Sequence, residues 1–176
     1  MSAARPARGF TLVEMLVVVV IIGVMVVGAV LALGVAGRDR SLENETRRLD
    51  ALLGYARDQA ELQTREYGLH FTRNGYAFIA FDVRSGQWLQ VEDDVLRPRT
   101  LPPGLEFELE LEGRRIVLEE QTKPAALAPH VGVASTGDFT SFKVTFRRAG
   151  GLPRQSVGVR EDGSLEVGEL VETGAG

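Results

Sequence analysis

One carboxylate stands at the head of a long apolar segment in the amino-terminal part of the chain. Glu14 is followed by 22 residues, Met15 to Ala36, that carry no charged or strongly polar side chain. A carboxylate beside such a segment is costly unless it lies near an interface or finds a cationic partner. The best candidate partner is an α-amino group, which a cut between Gly9 and Phe10 would expose. Glu14 therefore either lies at the headgroup level of a membrane or forms an ion pair after proteolysis.

Few other residues suggest chemistry. The chain has no cysteine, which excludes disulfides, thiolate zinc sites and thiol nucleophiles. The two histidines, His70 and His130, fall in a predicted strand and a predicted loop, where a structural role is commoner than metal binding. No motif of a serine hydrolase, zinc peptidase, phosphate-binding loop or calcium-binding loop occurs. We therefore predict no catalytic residue, no metal site and no cofactor, and a protein that is not an enzyme.

The composition fits one ordinary domain joined to the apolar segment. The 176 residues are 44% hydrophobic and 25% charged, and the sequence without the apolar segment is that of a polar, soluble protein. The net charge is −4, and no basic stripe is visible. Because nucleic-acid-binding proteins usually carry such a stripe, no nucleic-acid partner is expected.

The apolar segment allows three interpretations, namely a secretory signal peptide, a plain membrane anchor, and an anchor whose Glu14 later pairs with a cation. As a helix it spans about 33 Å, enough to cross a hydrocarbon core of about 30 Å. A secretory signal peptide has a shorter core, although Gly34-Val35-Ala36 could mimic its cleavage site. A plain membrane anchor explains the length but not Glu14.

Small residues at Gly28, Ala32 and Ala36 recur every four positions, a spacing that lets membrane helices pack closely.

The residues from Arg8 to Glu14 resemble the leader of type IV pilins. The match rests on Gly9, Phe10 and Glu14, followed by the unbroken apolar helix. In that family a membrane peptidase cuts after the glycine on the cytoplasmic side and methylates the new amino terminus. The resemblance implies a cleaved leader, an N-methylated Phe10 and a Glu14 that pairs with the terminal amine of a neighbouring subunit. It also implies a cytoplasmic amino end, which the arginines on both sides of the apolar segment would not set by themselves.

The next segment has the periodicity of a surface helix. Between Arg38 and Glu66, apolar residues recur at spacings of three, four and seven, as in a helix with one buried face. They are Leu42, Leu49, Leu52, Leu53, Ala56 and Ala60. We predict a soluble amphipathic helix over residues 38–66 that continues the membrane helix and packs on a sheet.

The rest of the chain reads as antiparallel strands. Asn74-Gly75 predicts a hairpin turn between two early strands. Leu105 to Glu112 alternates apolar and acidic residues, which is typical of a half-buried strand. Its acidic row is either a metal or partner surface or, the interpretation we favour, a solvated face that blocks edge-to-edge aggregation. Further strands are expected over 67–71, 76–82, 87–91, 116–118, 131–134, 142–146, 156–160 and 165–170.

A long helix followed by an all-β domain resembles the pilin-like proteins, and three passages resemble one group among them. The passage from Ala56 to Leu69 resembles the helix-to-strand junction of H-type minor pseudopilins of the type II secretion system, in the broad family often described as GspH/FimT. Gly137-Asp138-Phe139-Thr140 and Asp162-Gly163-Ser164-Leu165 resemble the same group less specifically. The implied fold is a pilin-like α+β fold, in which a long N-terminal transmembrane α-helix precedes an antiparallel all-β domain of two packed sheets. Its domains are a leader (1–9), a transmembrane helix (10–37), a soluble helix (38–66) and a periplasmic β domain (67–176).

The resemblance implies a structural function. An H-type minor pseudopilin links the tip complex to the major pseudopilin in a short filament that helps export folded proteins. Its expected partners are other minor pseudopilins, the major pseudopilin, the prepilin peptidase and methylase, the inner-membrane assembly platform and membrane lipid. The expected location is the bacterial inner membrane, crossed once, with the β domain in the periplasm. The alternative is a minor pilin of a type IV pilus, acting in adhesion or DNA uptake.

Overall fold

A computed structural model describes residues 12–120 and 127–172, with the side chains of 29–39 outside the description. One helix, α1 (Leu12–Gln63), begins this part of the chain. The chain divides into two compact units, residues 1–39 and 40–176, and α1 contributes to both. We describe each unit by itself.

Ten strands follow α1 in the second unit. They are β1 (Tyr67–Thr72), β2 (Gly75–Asp82), β3 (Gln87–Gln90), β4 (Arg99–Thr100), β5 (Leu105–Leu111), β6 (Arg114–Ile116), β7 (Val131–Val133), β8 (Phe142–Arg148), β9 (Arg154–Val159) and β10 (Leu165–Val167). The first sheet has the order β3-β2-β1-β7, and β4 also pairs with β2. The second sheet has the order β10-β9-β8-β5-β6, and all recorded pairings between strands are antiparallel. The predicted α+β architecture with two antiparallel sheets is confirmed.

The second half of α1 buries the face that its periodicity predicts. All six predicted stripe residues are buried, at 6% exposure or less: Leu42, Leu49, Leu52, Leu53, Ala56 and Ala60. They join one apolar core with residues of both sheets. In that core the ring centroids of Phe71 in β1 and Phe107 in β5 lie 5.4 Å apart, edge to face. The helix and the two sheets therefore share a single core, which supplies most of the driving force for folding.

The helix ends three residues before the predicted boundary at Glu66. Thr64 adopts a left-handed backbone conformation, with φ of 48°, and the Arg65 amide donates to the Ala60 carbonyl at 3.1 Å. This pattern is a helix C-cap in which glycine is usual. The periodicity could not predict the boundary, because Gln63 and Thr64 are ordinary residues with no stop signal.

Replacing Thr64 with glycine should stabilise the protein by about 1 kcal/mol. A β-branched residue in the left-handed region is strained, and glycine removes that strain at a smaller cost in chain entropy. Urea unfolding of the full chain in detergent, followed by circular dichroism, measures the difference. Thr64→Ala keeps a Cβ in the same conformation and should give no comparable gain. Equal stabilisation by both variants would contradict the explanation.

The first hairpin lies where the sequence predicts it, but its glycine has another role. The β1–β2 turn consists of Arg73 and Asn74, whereas Gly75 is already the first residue of β2 and pairs with Thr100 of β4. A Cβ on Gly75 would overlap the carbonyl oxygen of Arg99. Glycine is therefore required by the close approach of β4, a two-residue strand that the sequence analysis missed.

Candidate functional site

The amino-terminal half of α1 presents a continuous apolar surface. Every large apolar side chain from Leu12 to Val27 is exposed in the single chain, from 43% at Val18 to 82% at Leu12. A soluble protein rarely exposes so large an apolar patch unless something binds to it. This half of α1 is therefore the first candidate for an interaction surface.

The predicted assembly residues fall at the start of this surface. Glu14 lies in the first turn of α1, where a carboxylate interacts favourably with the positive end of the helix dipole. Gly28 lies on the same helix, and a Cβ built on it would meet nothing within 4 Å. Gly9 and Phe10 lie outside the described residues, as do the side chains of Ala32 and Ala36.

The described part of the chain contains no helical stretch that is long and apolar enough to qualify as a membrane span. The transmembrane helix expected over residues 10–37 includes residues outside the description and stays a prediction.

The acidic row of β5 faces basic side chains on its neighbours. In the register of β5 with β8, Glu106 lies opposite Arg147 and Glu110 opposite Lys143. Arg147 lies 3.0 Å from both Glu106 and Glu108, and Arg115 of β6 also pairs with Glu108. The row is thus a partly exposed ion-paired surface. Because β5 lies inside its sheet, between β8 and β6, the interpretation that the acidic row protects a sheet edge was wrong.

Metal binding finds no support in the described residues. Within residues 12–120 and 127–172, no group of three or more histidine, aspartate or glutamate side chains is arranged to hold a metal ion. The Asp162 carboxylate instead accepts hydrogen bonds from the amide and hydroxyl of Ser164, at 2.9 and 2.6 Å, and these bonds lower the pKa of Asp162. The segment around Asp162 and Gly163 is therefore a capped turn.

Two polar residues interrupt the buried stripe of α1, and the sequence analysis missed them. Glu45 and Thr46 are only 4% and 0% exposed, although they lie between Leu42 and Leu49. The Glu45 carboxylate pairs with Arg48, and the Thr46 hydroxyl donates to the Leu42 carbonyl at 2.9 Å. Their positions could have been found, because the spacings from both leucines place them on the buried face.

The loop after β7 contacts the last turns of α1 and the segment that follows the helix. The amide and hydroxyl of Ser135 donate to the Glu66 carboxylate, at 3.3 and 3.2 Å. Gly137, with φ of 87°, lies against Arg57 and Glu61 so closely that a Cβ would overlap the Glu61 carboxylate. The left-handed backbone conformation gives a physical reason for the glycine in the Gly137-Asp138-Phe139-Thr140 motif, since glycine adopts it without strain, whereas the Glu61 side chain could move away from a Cβ.

The two histidines, which the sequence analysis treats separately, meet at the end of the β1–β7 pairing. Their ring centroids lie 4.7 Å apart. His70 Nδ1 lies 2.7 Å from the Ala128 carbonyl oxygen and therefore donates to it. His130 Nδ1 lies 3.0 Å from the Phe71 amide nitrogen and accepts its hydrogen bond. Burial and the neighbouring His70 lower the pKa of His130, so the neutral imidazole is favoured.

Known proteins resemble this chain in its amino-terminal segment and over most of its length. The family described as the prokaryotic N-terminal methylation motif matches residues 4–30, a range that contains Gly9, Phe10 and Glu14. The type II secretion system protein H of Pseudomonas aeruginosa is 37% identical over 151 residues, covering 83% of this chain and 86% of that protein. Protein H of Aeromonas hydrophila is 28% identical over 144 residues, covering 78% of this chain and 79% of that protein.

Solved structures share the fold. A crystal structure of the minor pseudopilin EpsH of Vibrio cholerae aligns with a TM-score of 0.65 at 21% identity, covering 77% of this chain and 99% of the solved one. The solution structure of GspH of E. coli aligns with a TM-score of 0.57 at 17% identity, covering 76% and 91%. At these identities the likeness establishes the pilin-like fold alone. The Pseudomonas relative decides between the pseudopilus and the pilus that the leader left open. The chain belongs to the protein H family of the type II secretion system and is a minor pseudopilin.

Proposed function

We propose that this pseudopilin is made as a precursor and enters the pseudopilus through its processed amino terminus. A peptidase cuts between Gly9 and Phe10, and Phe10 is methylated on its new amine. Glu14 then pairs with the terminal amine of a neighbouring subunit. The match of residues 4–30 to the methylation motif carries this proposal, together with the place of Glu14 in the first turn of α1. In an apolar helix bundle an unpaired carboxylate is costly, so pairing favours assembly and sets the register between helices.

The exposed apolar half of α1 contacts membrane lipid before assembly and other subunits after it. Residues 10–37 anchor the subunit in the inner membrane, with the β domain (67–176) in the periplasm. After assembly the same surface packs against the helices of other subunits, helped by close approach at Gly28, Ala32 and Ala36. The exposure of every large apolar side chain between Leu12 and Val27 supports this, because a helix that is apolar all round requires lipid or other protein around it.

In the filament the subunit joins the tip complex of other minor pseudopilins to the major pseudopilin, and it thereby helps to export folded proteins. The assembly platform of the inner membrane adds it to the filament. Its role is structural and not enzymatic. Its partners are proteins and lipid and not nucleic acid, in keeping with the net charge of −4.

Cysteine cross-linking in cells tests the proposal directly, because the chain has no cysteine of its own. Leu16→Cys places a thiol on the apolar half of α1, at a side chain that is 58% exposed. Paired with cysteines near the amino ends of the other pseudopilins, it should form disulfides with them. Val83→Cys, in the β2–β3 turn at a side chain that is 82% exposed, is the control. Cross-linking to those amino ends that is equal at both positions, or absent at Leu16, would contradict the proposal.

A further inference from the structure

We propose that His70 and His130 form an acid-sensitive latch, which releases residues 127–130 from the outer face of the first sheet when His130 is protonated. We call residues 127–130 the latch segment. It leads into β7 and lies on the face of β1 that points away from the common core. The inference does not depend on the assembly proposal, since it concerns only the second unit.

The latch segment is attached to β1 by hydrogen bonds in which the side chains of both histidines take part. His70 Nδ1 donates to the Ala128 carbonyl, and His130 Nδ1 accepts from the Phe71 amide. The His130 amide also donates to the Leu69 carbonyl at 2.9 Å. The His130 bond requires a lone pair on Nδ1, which only the neutral imidazole with its proton on Nε2 supplies. Protonation places a hydrogen on Nδ1, so it removes the acceptor of the Phe71 amide.

The charges around His130 act in opposite directions. His70 on β1 opposes a positive charge on His130, because two imidazolium rings would stand 4.7 Å apart. Glu119, in the segment after β6, favours that charge. Burial of His130 is the largest effect and also opposes it, so the pKa of His130 lies below the ordinary value of 6.5. The folded protein therefore binds this proton less readily than the unfolded chain does.

The lowered pKa of His130 determines the direction in which stability changes with pH. The stabilisation by neutral His130 is fully present above pH 6.5, and it is lost as the pH falls through the lowered pKa. Local opening of the latch segment should increase over the same window. Between 6.5 and the lowered pKa, the opening constant should rise by up to about tenfold for each pH unit.

The latch segment covers apolar groups on the outer face of the first sheet. Pro129 lies so close over Gly68 that a Cβ there would overlap the proline ring, and the Trp88 ring would lie 3.3 Å from the same Cβ. Ile79, which is opposite Gly68 in the β1–β2 register, is fully buried. Trp88 is the one tryptophan of the whole sequence, so its fluorescence reports on this site.

The test is a pH titration of the full chain in detergent between pH 7.5 and 4.5. We expect the Trp88 emission to shift to the red and to become more accessible to acrylamide, with a midpoint below 6.5. In His130→Asn the amide oxygen can replace Nδ1 as the acceptor and cannot be protonated, so the change should disappear. His70→Asn removes the neighbouring charge, so the midpoint should rise towards 6.5.

A second measurement covers the case in which a variant fails to fold. Hydrogen exchange of the Phe71 amide in the unmodified protein, corrected for intrinsic rates, should lose protection on acidification, while amides between β5 and β8 stay protected. The latch is refuted if Phe71 and Trp88 do not respond between pH 7.5 and 4.5. It is equally refuted if His130→Asn responds with the same midpoint as the unmodified protein.

Discussion

Replacing Glu14 with leucine is expected to abolish secretion while the β domain stays folded. If Glu14 docks as proposed, the variant leaves the terminal amine of a neighbouring subunit without its carboxylate in an apolar bundle. Removing one partner of a buried ion pair costs about 3–5 kcal/mol, and each 1.4 kcal/mol is a factor of ten. We therefore expect incorporation into the filament to fall by about a hundredfold or more. Export of a secreted enzyme by intact cells measures the effect, and circular dichroism checks the fold.

Glu43→Leu is the matched control for Glu14→Leu. It makes the same change on the same helix, but Glu43 pairs with Arg47 at the surface, at 3.4 Å. Exposed pairs of this kind contribute about 0.2–1 kcal/mol, so secretion should remain near its normal level. Normal secretion by the Glu14→Leu variant would contradict the docking role of Glu14.

Gly75→Ala is expected to destabilise the second unit by about 3 kcal/mol, the upper end for overpacking a buried position. The added methyl group would overlap the Arg99 carbonyl oxygen, which belongs to the backbone of β4 and cannot rotate away. The pairing of β2 with β4 must then open, together with the hydrogen bond from the Leu101 amide to the Asn74 carbonyl, at 2.8 Å. Urea unfolding of the full chain in detergent measures the loss.

Gly54→Ala makes the same chemical change with the opposite expected sign. Gly54 lies inside α1, and a Cβ there would meet nothing within 4 Å. Alanine should therefore stabilise the helix by about 1 kcal/mol, the difference in helix propensity. If both variants shifted the unfolding midpoint in the same direction, the role assigned to Gly75 would be wrong.

Much of the fold could be predicted from local patterns. The alternation from Leu105 to Glu112 gave β5 to within one residue, because one face of β5 is buried and the other is not. The apolar stripe of α1 from Leu42 to Ala60 was equally predictable from its helical spacing. β4 was missed because a two-residue strand after Pro98 has no alternation to detect. The turn predicted at Asn74-Gly75 lies one residue earlier, at Arg73-Asn74. Gly75 is required by the close approach of β4 and not by the turn.

The candidate sites were predictable to different degrees. The leader residues and Glu14 form a contiguous motif, so they can be proposed from sequence alone. The meeting of His70 with His130 depends on the β1–β7 register across 60 residues, and the pairing of Glu106 and Glu108 with Arg147 depends on the β5–β8 register. Neither register has a local signal. A local motif therefore suffices to propose the amino-terminal site, whereas the contacts of the β domain required the structure.

The most direct test of the central claim is the mass of the protein extracted from membranes of secreting cells. We expect a mature chain that lacks residues 1–9 and begins with Phe10 carrying one methyl group on its amine. Recovery of a chain that still begins with Met1, or of one cut after Ala36, would contradict it.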